Sequence, residues 1–192
     1  NWFRDKYGPN NAVLVIAGDV SAAEARPLVE KYFGAIPRGP VNRPAMAPVP
    51  VLKAPRTVAM KDAVATTIIQ RYWAVPGLTD KQLAALDVGG SVLGGLASSR
   101  LDKVLVREEQ LAVAVTASMT PLQRAGIFSV AAYVTPGVDP NKVAKRLDEL
   151  LADYIAKGPS ADEVERAVMS QVSNDVRGLE QVGGFGGKAV SL

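Results

Sequence analysis

The stretch VGGFGGKAVSL, residues 182–192, has the glycines and the lysine of a loop that could bind phosphate. A phosphate loop has the pattern G-x-x-x-x-G-K-[ST], in which backbone N–H groups and the lysine hold the phosphates and the hydroxyl holds magnesium. Here Lys188 follows Gly187, but Val182 stands at the first glycine position and Ala189 at the hydroxyl position. The stretch also follows a predicted helix instead of a strand. The pattern therefore argues against a nucleotide site and predicts a connecting loop with Lys188 in solvent.

Two groups of carboxylates could support acid–base or metal chemistry if they converged. Glu108 and Glu109 are neighbours in a predicted helix, and adjacent helical side chains do not face each other, so a shared-proton pair is not expected. Asp162, Glu163 and Glu165 lie in the first turn of another predicted helix, where the helix dipole favours negative charge. We therefore expect structural or solvated roles for both groups.

The composition narrows the possible chemistry further. The 192 residues include no histidine and no cysteine, which excludes a Ser-His-Asp triad, a Cys-His pair, disulfides and zinc sites built on imidazole or thiolate in this chain. The formal charge of +3 is spread along the chain and favours neither nucleic acid nor a membrane surface as a partner. No apolar run approaches the ~20 residues of a membrane span. The first residues show no initiator Met and no signal-peptide pattern, so we interpret the chain as a fragment of a longer protein.

The N-terminal part predicts a strand, a helix and a linker, in that order. Residues 11–20, NAVLVIAGDV, form an apolar run rich in β-branched residues and predict a buried strand. Ser21 and Glu24 have the spacing of a capping box, and a helix is predicted from there to Phe33. Residues 37–55 contain six prolines and predict an extended linker between two domains.

After the linker, pairs of predicted strands alternate with pairs of predicted helices. The strand segments are residues 56–62 (RTVAMKD), 65–75 (ATTIIQRYWAV), 111–119 (LAVAVTASM) and 126–135 (GIFSVAAYVT). The helix segments run from the capping box Thr79–Gln82 to about Leu96, over residues 98–110, after Asp139–Pro140 and after Ser160. Gly89, Gly90, Gly94 and Gly95, late in the first of these helices, favour tight packing against a neighbouring backbone or a frayed helix end over a ligand loop. The order predicts an α+β fold, a mainly antiparallel sheet with a helical layer on one face, with a ferredoxin-like sandwich as the alternative.

Three longer motifs occur in a recognisable order. They are YGPNNAVLVIAGDVSAAEARPLVEKYFGAIPRGP (residues 7–40), GGLASSRLDKVLVREEQLAVAV (94–115) and GPSADEVERAV (158–168). Together they resemble the insulinase/pitrilysin-type zinc metallopeptidases, in particular bacterial processing-peptidase-like members. The resemblance implies a mitochondrial-processing-peptidase/insulinase-like domain fold. It assigns residues 1–36 to the end of a zinc-type domain, 37–55 to a linker, and 56–192 to a second, non-zinc domain that is truncated at its C-terminus.

The resemblance also implies a function. In this family two histidines and a distal glutamate bind zinc, and the glutamate of H-x-x-E-H activates a water molecule. Because this chain has no histidine, zinc is implied for the longer parent protein, while the fragment itself would bind no metal, carry no catalytic residue and be inactive. We expect it to help enclose a peptide substrate opposite a catalytic domain that lies upstream or in a partner subunit. Bacterial relatives are often periplasmic, so an extracytoplasmic location is expected.

One motif bears on substrate binding. Active relatives carry R-E-K-R-G-L-A-Y, whose arginine and tyrosine hold the substrate and stabilise the oxyanion. Alignment on its Leu-Ala pair puts Val106 at the arginine position and Val113 at the tyrosine position, with Arg107 one residue beyond Val106. Arg107 is therefore the one candidate substrate-binding residue, and it reaches the substrate only if the end of the helix is irregular. Arg100 is expected in a structural ion pair or on a helix surface.

Three hypotheses follow from the sequence. The first is a substrate-enclosing part of a zinc metalloendopeptidase. The second is a non-catalytic structural or peptide-binding half or subunit of the same family, which the missing tyrosine favours. The third is a free-standing binding domain of ferredoxin-like type, which would make the resemblance accidental. An H-x-x-E-H motif upstream of Asn1 would distinguish the first hypothesis from the second.

Overall fold

A computed structural model of the chain describes residues 2–41, 51–77 and 81–180. The chain divides into two compact units, one formed by Asn1–Pro48 with Gln171–Leu192 and the other by Val49–Ser170. The glycine-rich stretch at residues 182–192, with the predicted solvent position of Lys188, lies outside the described residues.

The first unit begins with short helices. Helix α1 spans Trp2–Lys6, a single 3-10 turn spans Pro9–Asn11, and helix α2 spans Ala22–Phe33. The predicted capping box is confirmed, because Ser21 Oγ accepts from the Glu24 N–H at 3.3 Å and the Glu24 carboxylate accepts from the Ser21 N–H at 2.9 Å. These bonds satisfy N–H groups that the first turn of α2 would leave without partners.

The predicted buried strand over residues 11–20 is wrong. The apolar run from Val13 to Ile16 has no regular secondary structure, and its side chains are largely exposed. A strand is stable only when its backbone N–H and C=O groups pair with a neighbouring strand. The strands in the described residues pair with one another, so this run has no ladder partner among them. The apolar composition of the run predicted a buried strand, but the run has no partner strand among the described residues and its side chains stay exposed.

The second unit is built on an antiparallel sheet. Strand β1 spans Ile68–Pro76, β2 spans Ala112–Pro121 and β3 spans Ala125–Val134, in the order β1-β3-β2. The predicted hairpin is confirmed as β2 and β3, with a bulge in β2 between Ala112 and Ala114. Side chains alternate between the two faces of the sheet. The side chains that belong to the core, such as Val115, Val130 and Ala132, lie on one of these faces.

The prediction of a further strand over residues 56–62 is wrong. Val58 and Met60 are exposed there, and the segment has no regular secondary structure. As with residues 11–20, a strand-like pattern has no partner strand in the described part of the chain. In contrast, Tyr72 and Trp73 in β1 point to opposite faces as predicted, and the Trp73 ring lies 6.0 Å from that of Phe128.

Four helical segments accompany the sheet: α3 (Leu83–Leu93), a π-helix (Asp102–Glu108), α4 (Pro140–Lys157) and α5 (Ala161–Gly178). Asp139 caps α4 as predicted, since its side chain accepts from the Asn141 N–H at 2.9 Å. The predicted capping box at residues 79–82 lies partly outside the described residues, and α3 ends three residues before the predicted Leu96.

The core of the second unit lies between one face of the sheet and the helices. The predicted apolar stripe of α4 is confirmed, because Val143, Leu147 and Leu151 are buried and Leu150 and Tyr154 pack against them. The stripe predicted for α5 is only partly right, because that helix buries Ala167 but leaves Val168 and Val172 exposed. Other members of the core are Leu93, Leu101, Leu105, Leu111, Val115, Val130, Ala132 and Val134. The architecture is α+β, with helices on one face of an antiparallel sheet.

The glycine-rich end of α3 lies against the backbone of β2. A Cβ at Gly94 would stand 3.1 Å from Ala117 N and 3.2 Å from Ala117 Cβ, and a Cβ at Gly90 would stand 3.3 Å from the Phe128 ring. These separations are tighter than ordinary van der Waals contacts, and at Gly94 the absence of a side chain lets the end of α3 approach the β2 backbone this closely. Of the two interpretations of these glycines, tight packing is confirmed at Gly90 and Gly94.

Gly77, which follows β1, is held even more tightly against the β2–β3 turn. A Cβ there would stand 2.6 Å from Arg124 C, 2.8 Å from Gln123 O and 2.9 Å from Ala125 N. Because all three are backbone atoms, they cannot swing aside. We expect Gly77→Ala to lower the free energy of unfolding by about 1–3 kcal/mol in urea titrations. Gly178→Ala, where a Cβ would meet nothing within 4 Å, is the control and should not destabilise. A Gly77→Ala protein as stable as the wild type would contradict the described packing.

Candidate functional site

Arg107 lies in the π-helix, and the ion pairs of that helix show its winding. Arg107 Nε is 3.1 Å from Asp102 Oδ2, and Lys103 Nζ is 3.9 Å from Glu108 Oε1. Both pairs join residues five apart. In an α-helix such residues differ by about 140° in direction and would not meet. A π-helix, with its i→i+5 hydrogen bonds, brings them together on the surface.

Buried leucines fix the orientation of this helix. Leu101 and Leu105 are fully buried, while the Arg107 side chain is 53% exposed. Two residues beyond Leu105, Arg107 is turned to the side of the helix opposite the core. The irregular winding that the sequence required for a role of Arg107 is therefore present. Its contact with a substrate stays a prediction.

Two hydrogen bonds hold the segment that follows the π-helix. Leu111 N–H donates to Leu105 O at 2.8 Å, and Thr135 Oγ1 donates to Gln110 O at 2.9 Å. Gln110 has a φ of 53°, the left-handed region that favours glycine. Three backbone irregularities thus follow one another, namely the π-helix, the left-handed residue and the β2 bulge. Such features are retained where the surrounding structure holds them in place.

Replacing Gln110 by glycine should relieve the cost of its left-handed backbone conformation and change the free energy of unfolding measurably. A non-glycine residue in this region costs on the order of 1 kcal/mol, part of which the chain entropy of glycine offsets. We expect Gln110→Gly to raise the free energy of unfolding by up to about 1 kcal/mol in urea denaturation. Lys103→Gly, inside the π-helix, should instead destabilise by about 1 kcal/mol. The same sign for both variants would contradict the described backbone of Gln110.

The two adjacent glutamates have separate partners, as expected for structural roles. Arg146 Nη2 is 2.7 Å from Glu109 Oε1, and Arg146 Nη1 is 3.1 Å from Glu149 Oε2. Hydrogen bonding to Glu109, followed by that to Glu149, raises the pKa of Arg146 against the opposing effect of desolvation. Glu108 faces Lys103 instead. The pair Glu108–Glu109 therefore ties the π-helix to itself and to α4 and is not an acid–base pair.

Val106 and Val113 align with the arginine and the tyrosine of the R-E-K-R-G-L-A-Y motif, and their surroundings differ. Val106 is half-buried and packs against the core, whereas Val113 is exposed at the β2 bulge. Neither side chain can donate a hydrogen bond, so neither can replace the arginine or the tyrosine of active relatives.

Arg100 forms an ion pair with Glu163 that is more enclosed than the pairs Arg71–Asp148 and Arg146–Glu109. Its Nε and Nη2 donate to the two carboxylate oxygens of Glu163, both at 2.7 Å, and Nη2 also donates to Gly158 O at 2.8 Å. Its guanidinium lies 5.2 Å from the centre of the Tyr154 ring. Glu163 also accepts from the Ser160 N–H at 2.7 Å in the predicted capping box. The structural ion pair expected for Arg100 is confirmed, and it joins the end of α4 to the start of α5.

The contacts of Arg100 and the burial of this cluster shift the pKa values of Glu163 and Tyr154. The hydrogen bonds from Arg100, which outweigh desolvation, lower the pKa of Glu163 from 4.5 to about 2. Burial raises the pKa of Tyr154, whose hydroxyl donates to Gly89 O at 3.0 Å. The cluster is therefore a fixed charge pair at neutral pH and has no proton to exchange.

The donor set of the chain does not fit a zinc site. The sequence has neither histidine nor cysteine. Within residues 2–41, 51–77 and 81–180, the carboxylates form no group of three that could surround a metal ion. In the same residues, no helix is long and apolar enough to cross a membrane.

Comparison with known proteins identifies the family. The sequence model described as "Peptidase M16 inactive domain" matches residues 1–171. The chain belongs to this family. Among curated relatives, the zinc protease PqqE of Helicobacter pylori is 27% identical over 181 residues, covering 91% of this chain and 40% of that protein. An uncharacterized zinc protease of Mycobacterium leprae is 29% identical over 182 residues, covering 91% and 40% respectively.

Solved structures share this fold. The crystal structure of a protease from Helicobacter pylori matches with a TM-score of 0.78 and 25% identity, covering 94% of this chain and 44% of that one. A peptidase M16 inactive domain from Pseudomonas fluorescens shares the fold, with a TM-score of 0.66 and 20% identity over 81% of this chain and 37% of that one. The chain therefore spans less than half the length of these relatives.

Proposed function

We propose that this M16 inactive domain is the non-zinc-binding segment of a zinc metalloendopeptidase and helps enclose a peptide substrate opposite a catalytic domain. Two observations support the proposal. The curated relatives carry the name zinc protease, and more than half of each lies outside the part that matches this chain. The chain itself lacks the imidazole and thiolate ligands that zinc peptidases use. Zinc and the water that it activates would then belong to the catalytic domain.

Arg107 is the residue of this chain that we propose to contact the peptide substrate. Its guanidinium is half-exposed on the side of the π-helix that faces away from the core. Arg107 Nε lies 3.1 Å from Asp102 Oδ2, and the guanidinium carries further N–H donors on its terminal nitrogens. A guanidinium presented in this way can donate to a peptide carbonyl or carboxylate.

A second candidate function rests on a different observation. Val106 and Val113 present no donor, and Asp102 competes for the guanidinium of the candidate residue Arg107. These features favour a non-catalytic structural or peptide-binding half or subunit of the same family. In that case Arg107 would be a surface residue that Asp102 partly neutralises.

Arg107→Ala separates the two candidates. The experiment measures peptide cleavage by the longer protein that contains this segment together with a zinc-binding domain. If Arg107 holds the substrate, its loss should raise KM about tenfold, equivalent to about 1.4 kcal/mol, with a smaller change in kcat. Lys103→Ala is the matched control, because it removes the same charge from the same helix and breaks a pair of the same spacing. Equal kinetics for Arg107→Ala and the wild type would reject the role of Arg107 and favour the second candidate.

The chain alone provides a complementary test. We expect it to bind substoichiometric zinc and to show no chelator-sensitive peptide cleavage, because it lacks the ligands. Stoichiometric zinc together with cleavage that a chelator abolishes would contradict both candidates.

A further inference from the structure

The guanidinium of Arg107 contacts a carboxylate in a different way from three other arginines of the second unit. Arg71, Arg100 and Arg146 each donate hydrogen bonds to their acidic partners, over distances between 2.7 and 3.1 Å. Arg107 Nε also lies 3.1 Å from Asp102 Oδ2, but its side chain donates no hydrogen bond to any residue that the structure describes. A hydrogen bond needs the N–H to point at its acceptor, so a short distance alone does not make one. Arg107 and Asp102 are therefore joined by their charges and not by a hydrogen bond.

This contact balances the charge of Arg107 and leaves its N–H donors available. A neighbouring carboxylate cancels much of the positive field of a guanidinium at longer range, whereas an N–H donor acts only on an acceptor in contact with it. A guanidinium in this state suits an acceptor that carries no charge. In a peptide, the backbone carbonyl is such an acceptor, and it occurs at every residue.

The backbone holds Asp102 in place beside Arg107. Asp102 is the first residue of the π-helix, directly after the fully buried Leu101. The i→i+5 winding brings Asp102 and Arg107 to the same side of the helix. The Asp102 side chain is 26% exposed and the Arg107 side chain 53%. The short, more enclosed carboxylate therefore stays near the guanidinium when the longer arginine side chain turns towards a ligand.

The other charges of the π-helix have partners of their own. Lys103 Nζ lies 3.9 Å from Glu108 Oε1. Glu109, which follows the helix, contacts Arg146 Nη2 at 2.7 Å. Removal of the Asp102 carboxylate would therefore leave an unbalanced positive charge at Arg107.

We propose that Asp102 is a positioning residue that makes Arg107 select uncharged peptide segments over acidic ones. Its carboxylate repels an aspartate, a glutamate or a terminal carboxylate that approaches the guanidinium, and it has no such effect on a carbonyl. At a separation of about 6 Å and an effective dielectric constant of about 40–80, the repulsion changes relative affinity by about threefold to tenfold. That the segment is a protease substrate held by Arg107 rests on the proposed function.

The test compares the cleavage preferences of the longer protein that contains this segment together with a zinc-binding domain. The probe is a random decapeptide library, and mass spectrometry of the products gives the frequency of aspartate and glutamate next to the cleaved bonds. Asp102→Asn keeps the size of the side chain and removes its charge. We expect this variant to raise the acidic frequency at least about threefold over the wild type. An unchanged frequency would overturn the proposal.

Two further variants separate the charge of Asp102 from a purely structural role. Glu108→Gln removes the same charge from the same helix, but its partner is Lys103, so the acidic frequency should stay at the wild-type value. Asp102→Glu keeps the charge and should also stay close to the wild type. An equal rise in Glu108→Gln, or a rise in Asp102→Glu as large as in Asp102→Asn, would overturn the proposal. A purely structural role of Asp102 would slow the cleavage of acidic and uncharged peptides alike.

The double variant Asp102→Asn/Arg107→Ala shows whether Asp102 acts through Arg107. The rise in acidic frequency should disappear in this variant, and its persistence would assign the effect to another cation and overturn the proposal. A raised KM in Arg107→Ala together with an unchanged preference in Asp102→Asn would reject the role of Asp102 and keep that of Arg107. Unchanged kinetics in Arg107→Ala would reject both roles.

Discussion

Replacing Leu105 by alanine is expected to lower the free energy of unfolding by about 3–5 kcal/mol. The side chain is 0% exposed and belongs to the core cluster that joins the π-helix to the sheet and to α4. The substitution removes buried methyl groups and leaves a cavity that the neighbouring side chains fill only in part. Urea denaturation followed by circular dichroism would measure the loss.

Two further variants make this result specific. Leu105→Met keeps the volume and should cost less than about 1.5 kcal/mol. Ile155→Ala removes an aliphatic side chain of similar size from α4, but that residue is 78% exposed, so its effect should stay below about 0.5 kcal/mol. If Leu105→Ala cost no more than Ile155→Ala, the described core would be wrong.

The second large effect concerns the pair Arg100–Glu163. Arg100→Met should lower the free energy of unfolding by about 2–4 kcal/mol, because it leaves the Glu163 carboxylate enclosed without its partner. The side chains of Arg100 and Glu163 are 26% and 18% exposed, so solvent offers little compensation. Arg26→Met is the matched control, since its pair with Glu30 is 81% and 65% exposed and should contribute less than about 1 kcal/mol.

The same pair predicts a dependence of stability on pH. The folded-state pKa of Glu163, about 2, is below the ordinary value of 4.5. Glu163 therefore stabilises the fold above pH 4.5 and loses that contribution as the pH falls towards 2. A shift of this size corresponds to at most about 3 kcal/mol. Urea titrations at several pH values would measure it in the wild type and in Glu163→Gln. The difference between them should be constant above pH 4.5 and shrink below it. A difference independent of pH from neutrality to pH 2.5 would contradict the assignment.

Local signals in the sequence were sufficient for much of the fold. The caps at Ser21, Asp139 and Ser160 depend on residues two or three positions apart, so their spacing alone identifies the helix starts. The β2–β3 hairpin is likewise a short-range feature. The strands predicted at residues 11–20 and 56–62 failed because a strand depends on a partner that its own pattern does not specify.

The candidate site likewise combines features that nearby residues predict with contacts between residues far apart in the sequence. The resemblance singled out Arg107, and an ion pair was expected for Arg100, but Glu163 lies 63 positions from Arg100 and only folding brings them together. The π-helix was predicted as an ordinary helix. One signal was available in the sequence: opposite charges five residues apart, at Asp102–Arg107 and Lys103–Glu108, match the i→i+5 spacing of a π-helix better than that of an α-helix.

The close contact of Gly94 with β2 also bears on aggregation. β2 is AVAVTASMTP, ten residues without a charge, at an edge of the described sheet. An uncharged edge strand is a template for pairing with other chains unless it is covered. Because Gly94 lets the end of α3 lie against the backbone of Ala117, the same packing that stabilises the fold also shields this strand from other chains.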